Sequence, residues 1–233
     1  MDQVTINIRI KWVLRGLVAT ALGLIVSSIA VSWLGYYGGH DWLYGFAPKF
    51  NVDNEANFPT YFSALLLLFS SILLAIIAAE APRSSQRFPR HWWALSAMFV
   101  LLSVDEMTSL HELLIRPARY FFDVGESLYF VWIVPAAVLV AVFAILFFPF
   151  LLQLPAHTRS RLVFAGCVFV GGALGMELAG GYYAYLYGSD NFAYNIIAAI
   201  EESMEMGGVI LFISALFGVI QSRIASIQLA ISG

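Results

Sequence analysis

Six apolar blocks run along the chain, separated by more polar connections. They cover residues 13–36, 60–79, 92–115, 128–152, 161–187 and 192–220. Each is near the ~20 residues an α-helix needs to cross a ~30 Å hydrocarbon core. The pattern predicts an all-α, polytopic transmembrane bundle of about six spans, residues 1–233 forming a single transmembrane domain. The connections fit this division. Pro82, Pro89, serines and arginines mark the turn between spans 2 and 3, and Pro155 with His157 marks the one between spans 4 and 5. Pro59 and Thr60 suit the first turn of span 2, where a missing N–H is harmless.

Composition gives the same solvent. The chain is 61% hydrophobic and 12% charged, against about 25% charge in soluble domains. A net charge of −3 gives no basis for nucleic-acid binding. The single cysteine, Cys167, lies in an apolar run and reads as a small buried hydrophobe.

The basic residues orient the bundle. Arg9, Lys11, Arg15, Arg83, Arg87, Arg90, Arg159, Arg161 and Arg223 fall on one side, and Lys49, Arg116 and Arg119 on the other. Positive charge collects on the cytoplasmic side, so both termini are expected there, in a multi-pass protein of the cell inner membrane. The basic start and Ser28-Ile29-Ala30 also fit a cleaved signal peptide. Cleavage leaves five spans and the same orientation for the rest. The longest outer connection, residues 38–58, carries Trp42, Tyr44, Phe46, Phe50, Asp53 and Glu55. It reads as an aromatic interfacial loop or as a lid over an outer-face site that admits an ion or small molecule.

Chemistry concentrates inside the membrane. Span 3 carries Asp105, Glu106, Thr108, Ser109, His111 and Glu112, span 5 carries Glu177, and span 6 carries Glu201, Glu202 and Glu205. An intramembrane charge costs at least ~2.5–3.5 kcal/mol on insertion scales, and no Lys or Arg lies deep enough to pair with these seven acids. Protons or cations must neutralise them. At ~1.5 Å per residue, Glu106 lies roughly 21 Å and Glu177 roughly 24 Å from the inner face, and Glu201 roughly 14 Å below the outer one. The depths agree within about two turns, which predicts one cluster. On a straight helix Asp105 and Glu112 nearly eclipse, with Ser109 between them and Thr108 on the same face. In span 6, Glu201 and Glu205 stack at i, i+4. In span 5, Gly171 and Gly175 form a small-xxx-small pair for close helix approach, and Gly207 and Gly208 repeat the theme in span 6.

Three readings stay open. One is a divalent metal (Zn, Fe or Mn) on His111, Glu112, Glu177, Glu201 and Glu205, with Asp105, Glu106, Glu202, Thr108 and Ser109 as further ligands or supports. That reading admits a membrane metalloenzyme but names no substrate. The second is transport of protons or cations along the embedded acids, which broken helices would strengthen. The third is a structural or assembly role with protonated, hydrogen-bonded acids.

Glutamates on several helices are similar to the di-iron carboxylate bundles, some of them membrane oxidases. Those use Glu-x-x-His on two helices, whereas Thr108 stands three before His111 and span 6 has Glu202-x-x-Glu205. The whole chain more closely resembles an uncharacterised type of bacterial multi-span inner-membrane protein. Its marks are Asp-Glu-x4-His-Glu (Asp105 to Glu112), Glu-Glu-x2-Glu (Glu201 to Glu205), and Val52-Asp53-Asn54-Glu55 leading to Pro59-Thr60. That resemblance implies the multi-span fold and no particular activity.

Overall fold

The structure, a computed structural model, describes residues 9–39, 45–80, 89–122 and 129–223. Trp42 and Tyr44 of the outer loop, His40, Pro82, the inner-loop Arg83 and Arg87, and the predicted start of span 4 at Leu128 lie outside the described residues. The long helices are α1 (Ile10–Gly38), α3 (Phe58–Glu80), α4 (Pro89–Thr108), α6 (Ile133–Leu152), α7 (Ala156–Val170) and α9 (Phe192–Arg223). Shorter pieces join them: α2 (Ala47–Phe50), a 3-10 turn (Leu110–Leu114) leading into α5 (Ile115–Phe122), and a π turn (Gly171–Met176) leading into α8 (Glu177–Tyr187). By length and composition five of the helical stretches can cross a membrane, or six if the bent pair α4–α5 is one span. The chain is thus an all-α, multi-span membrane protein.

The spans divide into two kinds: α3 and α9 bury about half of their length against other helices, and α1 and α6 bury little. The α6 face carrying Val138, Leu139, Ile145 and Leu146 is exposed, which is what a helix bathed in acyl chains requires. Hydroxyls join the buried faces. Ser71 Oγ donates to Ser96 O and Ser96 Oγ to Ser71 O, both at 2.9 Å. Ser103 Oγ donates to Ala64 O at 2.8 Å, completing the α3–α4 seam. The apolar core lies mostly toward the C-terminal end of α3 and the N-terminal end of α4, with Leu66, Leu74, Trp92, Phe150, Ile213 and Leu216 almost wholly buried.

The end of the bundle carrying the loop before α3 is tied by polar bonds. Asn57 Oδ1 accepts from the N–H and hydroxyl of Thr60, both at 3.0 Å, and caps α3. Pro59 sits in that first turn, as its missing N–H allows. Ser28 Oγ accepts the Val52 N–H at 3.0 Å, and Ser32 Oγ donates to Asn195 Oδ1 of α9 at 3.2 Å. The outer loop is thus bonded onto the bundle.

Three expectations need correction. Cys167 is exposed, because α7 turns Leu162 and Ala165 inward and leaves Cys167 on its other face. Span 3 does not continue straight to residue 115: it bends by 83° after Thr108. The glycine pairing also shifts. A Cβ at Gly175 or Gly207 would meet nothing within 4 Å, whereas one at Gly172 would lie 2.9 Å from Glu205 Cγ and one at Gly208 2.6 Å from Phe169 N. The π turn adds residues to one helical turn, and so brings Gly172 rather than Gly175 against α9.

Candidate functional site

The bend in span 3 is made locally. Ser109 adopts a left-handed conformation (φ +50°), from which an α-helix cannot continue. The Asp105 side chain reaches forward instead. Its Oδ1 accepts the His111 N–H at 2.8 Å, and its Oδ2 lies 3.0 Å from His111 Nδ1. A short carboxylate that captures backbone groups further along competes with the helix ladder. Asp105 and Glu112 therefore do not share a face, contrary to the straight-helix expectation: Asp105 is half-buried against His111, and Glu112 is exposed on the turn beside it. Thr108 is also exposed, its hydroxyl bonded back to Val104 O at 2.6 Å.

His111 leads to the other helices through Trp132, which precedes α6. The two rings lie 4.5 Å apart between centroids, tilted by 45°. Trp132 Nε1 donates to Glu177 Oε1 at 3.3 Å. Glu177 opens α8 directly after the π turn, and helical turns of this kind are frequent at functional sites. The carboxyl groups of Glu177 and Glu201 lie side by side, within hydrogen-bond reach of each other. Glu201, Glu202 and Glu205 lie on α9, half-buried and electrostatically close to Glu177 and Glu106. Glu205 packs over Gly172, where a side chain would collide with it. Among the described residues, the charges bearing on Glu106, Glu201, Glu202 and Glu205 are those of other acids and of His111, not of any Lys or Arg.

The outer loop joins the cluster from above. Asp53 accepts a hydrogen bond from Tyr194 and feels the charge of Glu177, and Glu55 feels that of Glu106. Asp53 is exposed at the surface of the loop, yet protein packs around its carboxylate. The loss of surrounding water, with a smaller push from Glu177, raises its pKa to about 6, while the Tyr194 bond opposes the rise.

The structure thus brings Asp105, Glu106, His111, Glu177, Glu201, Glu202 and Glu205 into one region and leaves Glu112 and Thr108 at its edge. Among the described residues, no three His, Cys, Asp or Glu side chains are arranged to hold a metal ion. Two participants, Trp132 and Tyr194, were not anticipated. Their polar atoms were the available signal, since an indole N–H or phenol beside an acidic span needs an acceptor when buried.

Residues 12–220 match a protein family described as a domain of unknown function, DUF8692. The chain belongs to the DUF8692 family. No curated protein and no solved structure matches it. In this DUF8692 member the acid motifs of spans 3, 5 and 6 all fall within the matched residues.

Proposed function

We propose that the protein takes up cations, protons foremost, from the outer face into the intramembrane acid site and serves as a proton- or cation-coupled transporter. The observation that carries this reading is a series of carboxyl and hydroxyl groups that, among the described residues, has no Lys or Arg partner. It runs from Asp53 through Tyr194 to Glu177 and Glu201, and on to Glu202, Glu205 and Glu106. Embedded acids of this kind mark ion pathways. The bend at Ser109 and the π turn before Glu177 border the series, and interrupted helices at mid-membrane are how transporters expose backbone groups to ions. The inner end closes against the apolar core of Ile213 and Leu216, which supports an outward-facing state. The membrane would be the cell inner membrane, with both termini cytoplasmic on the charge asymmetry. Liposomes holding the protein and a trapped pH dye test this. An imposed potential should drive proton entry, and Glu177→Gln should abolish it. Undiminished flux in that variant would remove Glu177 from the pathway.

A divalent metal is the second reading, with a metalloenzyme as its extension. It is favoured by the Asp105–His111 contact through Nδ1, since metal-ligating histidines characteristically give their other nitrogen to a carboxylate. His111 Nε2 with Glu112, Glu177, Glu201 and Glu205 would then supply ligands for Zn, Fe or Mn after rearrangement. Elemental analysis of the purified protein decides it. A stoichiometric metal lost on His111→Ala supports this reading, and none at all sinks it.

A further inference from the structure

On the inner side of the acid cluster, residues of α3, α4, α7 and α9 surround a cavity of about 10 Å³, close to the space of a single water molecule. Its polar lining is Ser63, Glu106 and Glu205, and the rest is apolar, including Leu66, Phe169 and Val209. Ser63 is only 6% exposed, and its Oγ has no hydrogen-bond partner. Two other buried serines of α3 differ: Ser70 Oγ bonds to Leu66 O, and Ser71 bonds across to Ser96. A buried hydroxyl beside a void and two carboxyl groups signals a missing third body.

We infer that this cavity is a binding site for one dehydrated, sodium-sized monovalent cation, ligated by Ser63 Oγ and the carboxylates of Glu106 and Glu205. The inference deepens the proposed cation reading and rests on it. The donors are hard oxygens, as an alkali or alkaline-earth ion prefers. Ca²⁺ takes about 6–8 oxygens, and Mg²⁺ keeps several of its waters. A space of one water with otherwise apolar walls offers neither. A neutral water would satisfy Ser63 and sit beside two protonated acids, whereas a cation satisfies Ser63 and also lets the two acids ionise around it. A cation answers both needs, and it sits where the acid series meets the closed apolar core.

The test is thermal unfolding of the full-length protein in detergent, in sodium, potassium or choline chloride at equal ionic strength. Sodium should raise the midpoint by several degrees over choline in a saturable manner, and potassium should do so less. Ser63→Ala should leave the midpoint in choline unchanged or higher, because an unpaired hydroxyl is gone. It should also raise the half-saturating sodium concentration by about tenfold, a loss of about 1.4 kcal/mol of binding. Equal midpoints in sodium and choline would overturn the site and leave a water or hydronium in the cavity. A sodium effect untouched by Ser63→Ala would also overturn it. The two proposals fail separately. Proton flux in sodium-free liposomes without a sodium-dependent midpoint removes only the sodium site, whereas a sodium-dependent midpoint without flux removes only the transport reading.

Discussion

The Asp105 carboxylate clasps His111 twice, at its backbone N–H (2.8 Å) and at its ring Nδ1 (3.0 Å). The clasp spans the left-handed Ser109, so one side chain both stops the helix and aims the imidazole toward Trp132.

Asp105→Ala should therefore lower stability by about 1–3 kcal/mol, the range for leaving a partly buried donor unpaired. Asp105→Asn keeps an acceptor for the His111 N–H and should lose less. Denaturant unfolding of the two variants in detergent checks the order. Equal losses would mean that the backbone bond contributes nothing.

Gly172→Ala should destabilise the bundle, because its Cβ would lie 2.9 Å from Glu205 Cγ, 3.0 Å from Glu201 O and 3.1 Å from Glu205 N. Two of those atoms are backbone and cannot swing aside. Overpacking of this kind costs about 1–3 kcal/mol. Gly175→Ala is the control, with nothing within 4 Å of its Cβ. It should be neutral or slightly stabilising, since Ala favours helix. A neutral Gly172→Ala would show that α9 can withdraw from the π turn.

Asp53 gives a pH dependence with a definite sign. Its folded pKa of about 6 exceeds the ~3.9 of an unfolded aspartate. The folded state therefore binds this proton more tightly. The stability linked to it is complete below about pH 4 and is lost as pH rises through about 6. Thermal midpoints of wild type and Asp53→Asn should nearly coincide at the acid end, and the Asn variant should become the more stable near neutrality. A wild type that gains on the variant as pH rises would reverse the sign and refute the assignment.

The spans were legible because lipid imposes one requirement along ~20 residues at a time, and apolar blocks of that length are hard to mistake. The meeting of Glu106, Glu177, Glu201 and Glu205 was legible too, since depth along a helix follows from counting residues. What counting missed was phase. Nothing in Thr108-Ser109-Leu110 has the Pro or Gly that usually announces a break, and the bend depends on Asp105 capturing a residue six positions on. The π turn likewise leaves no mark in composition but sets Gly172 beside Gly171 against α9 and leaves Gly175 clear of it. Trp132 was hidden for another reason: it reads as one more apolar residue until a carboxylate is placed beside it.

The helices differ greatly in length, and the membrane must accommodate the difference. α6 has 20 residues, about 30 Å at the usual rise, and matches the hydrocarbon layer. α9 has 32, about 48 Å, and stays longer than that layer at an ordinary tilt of ~20°. Its ends extend into the headgroups, so the depth of Glu201 and Glu205 depends on where the acyl chains begin. A bilayer of longer chains places those acids further from water, and one of shorter chains brings them nearer. The thickness of the surrounding lipid thereby becomes a variable of the site, as much as any residue that lines it.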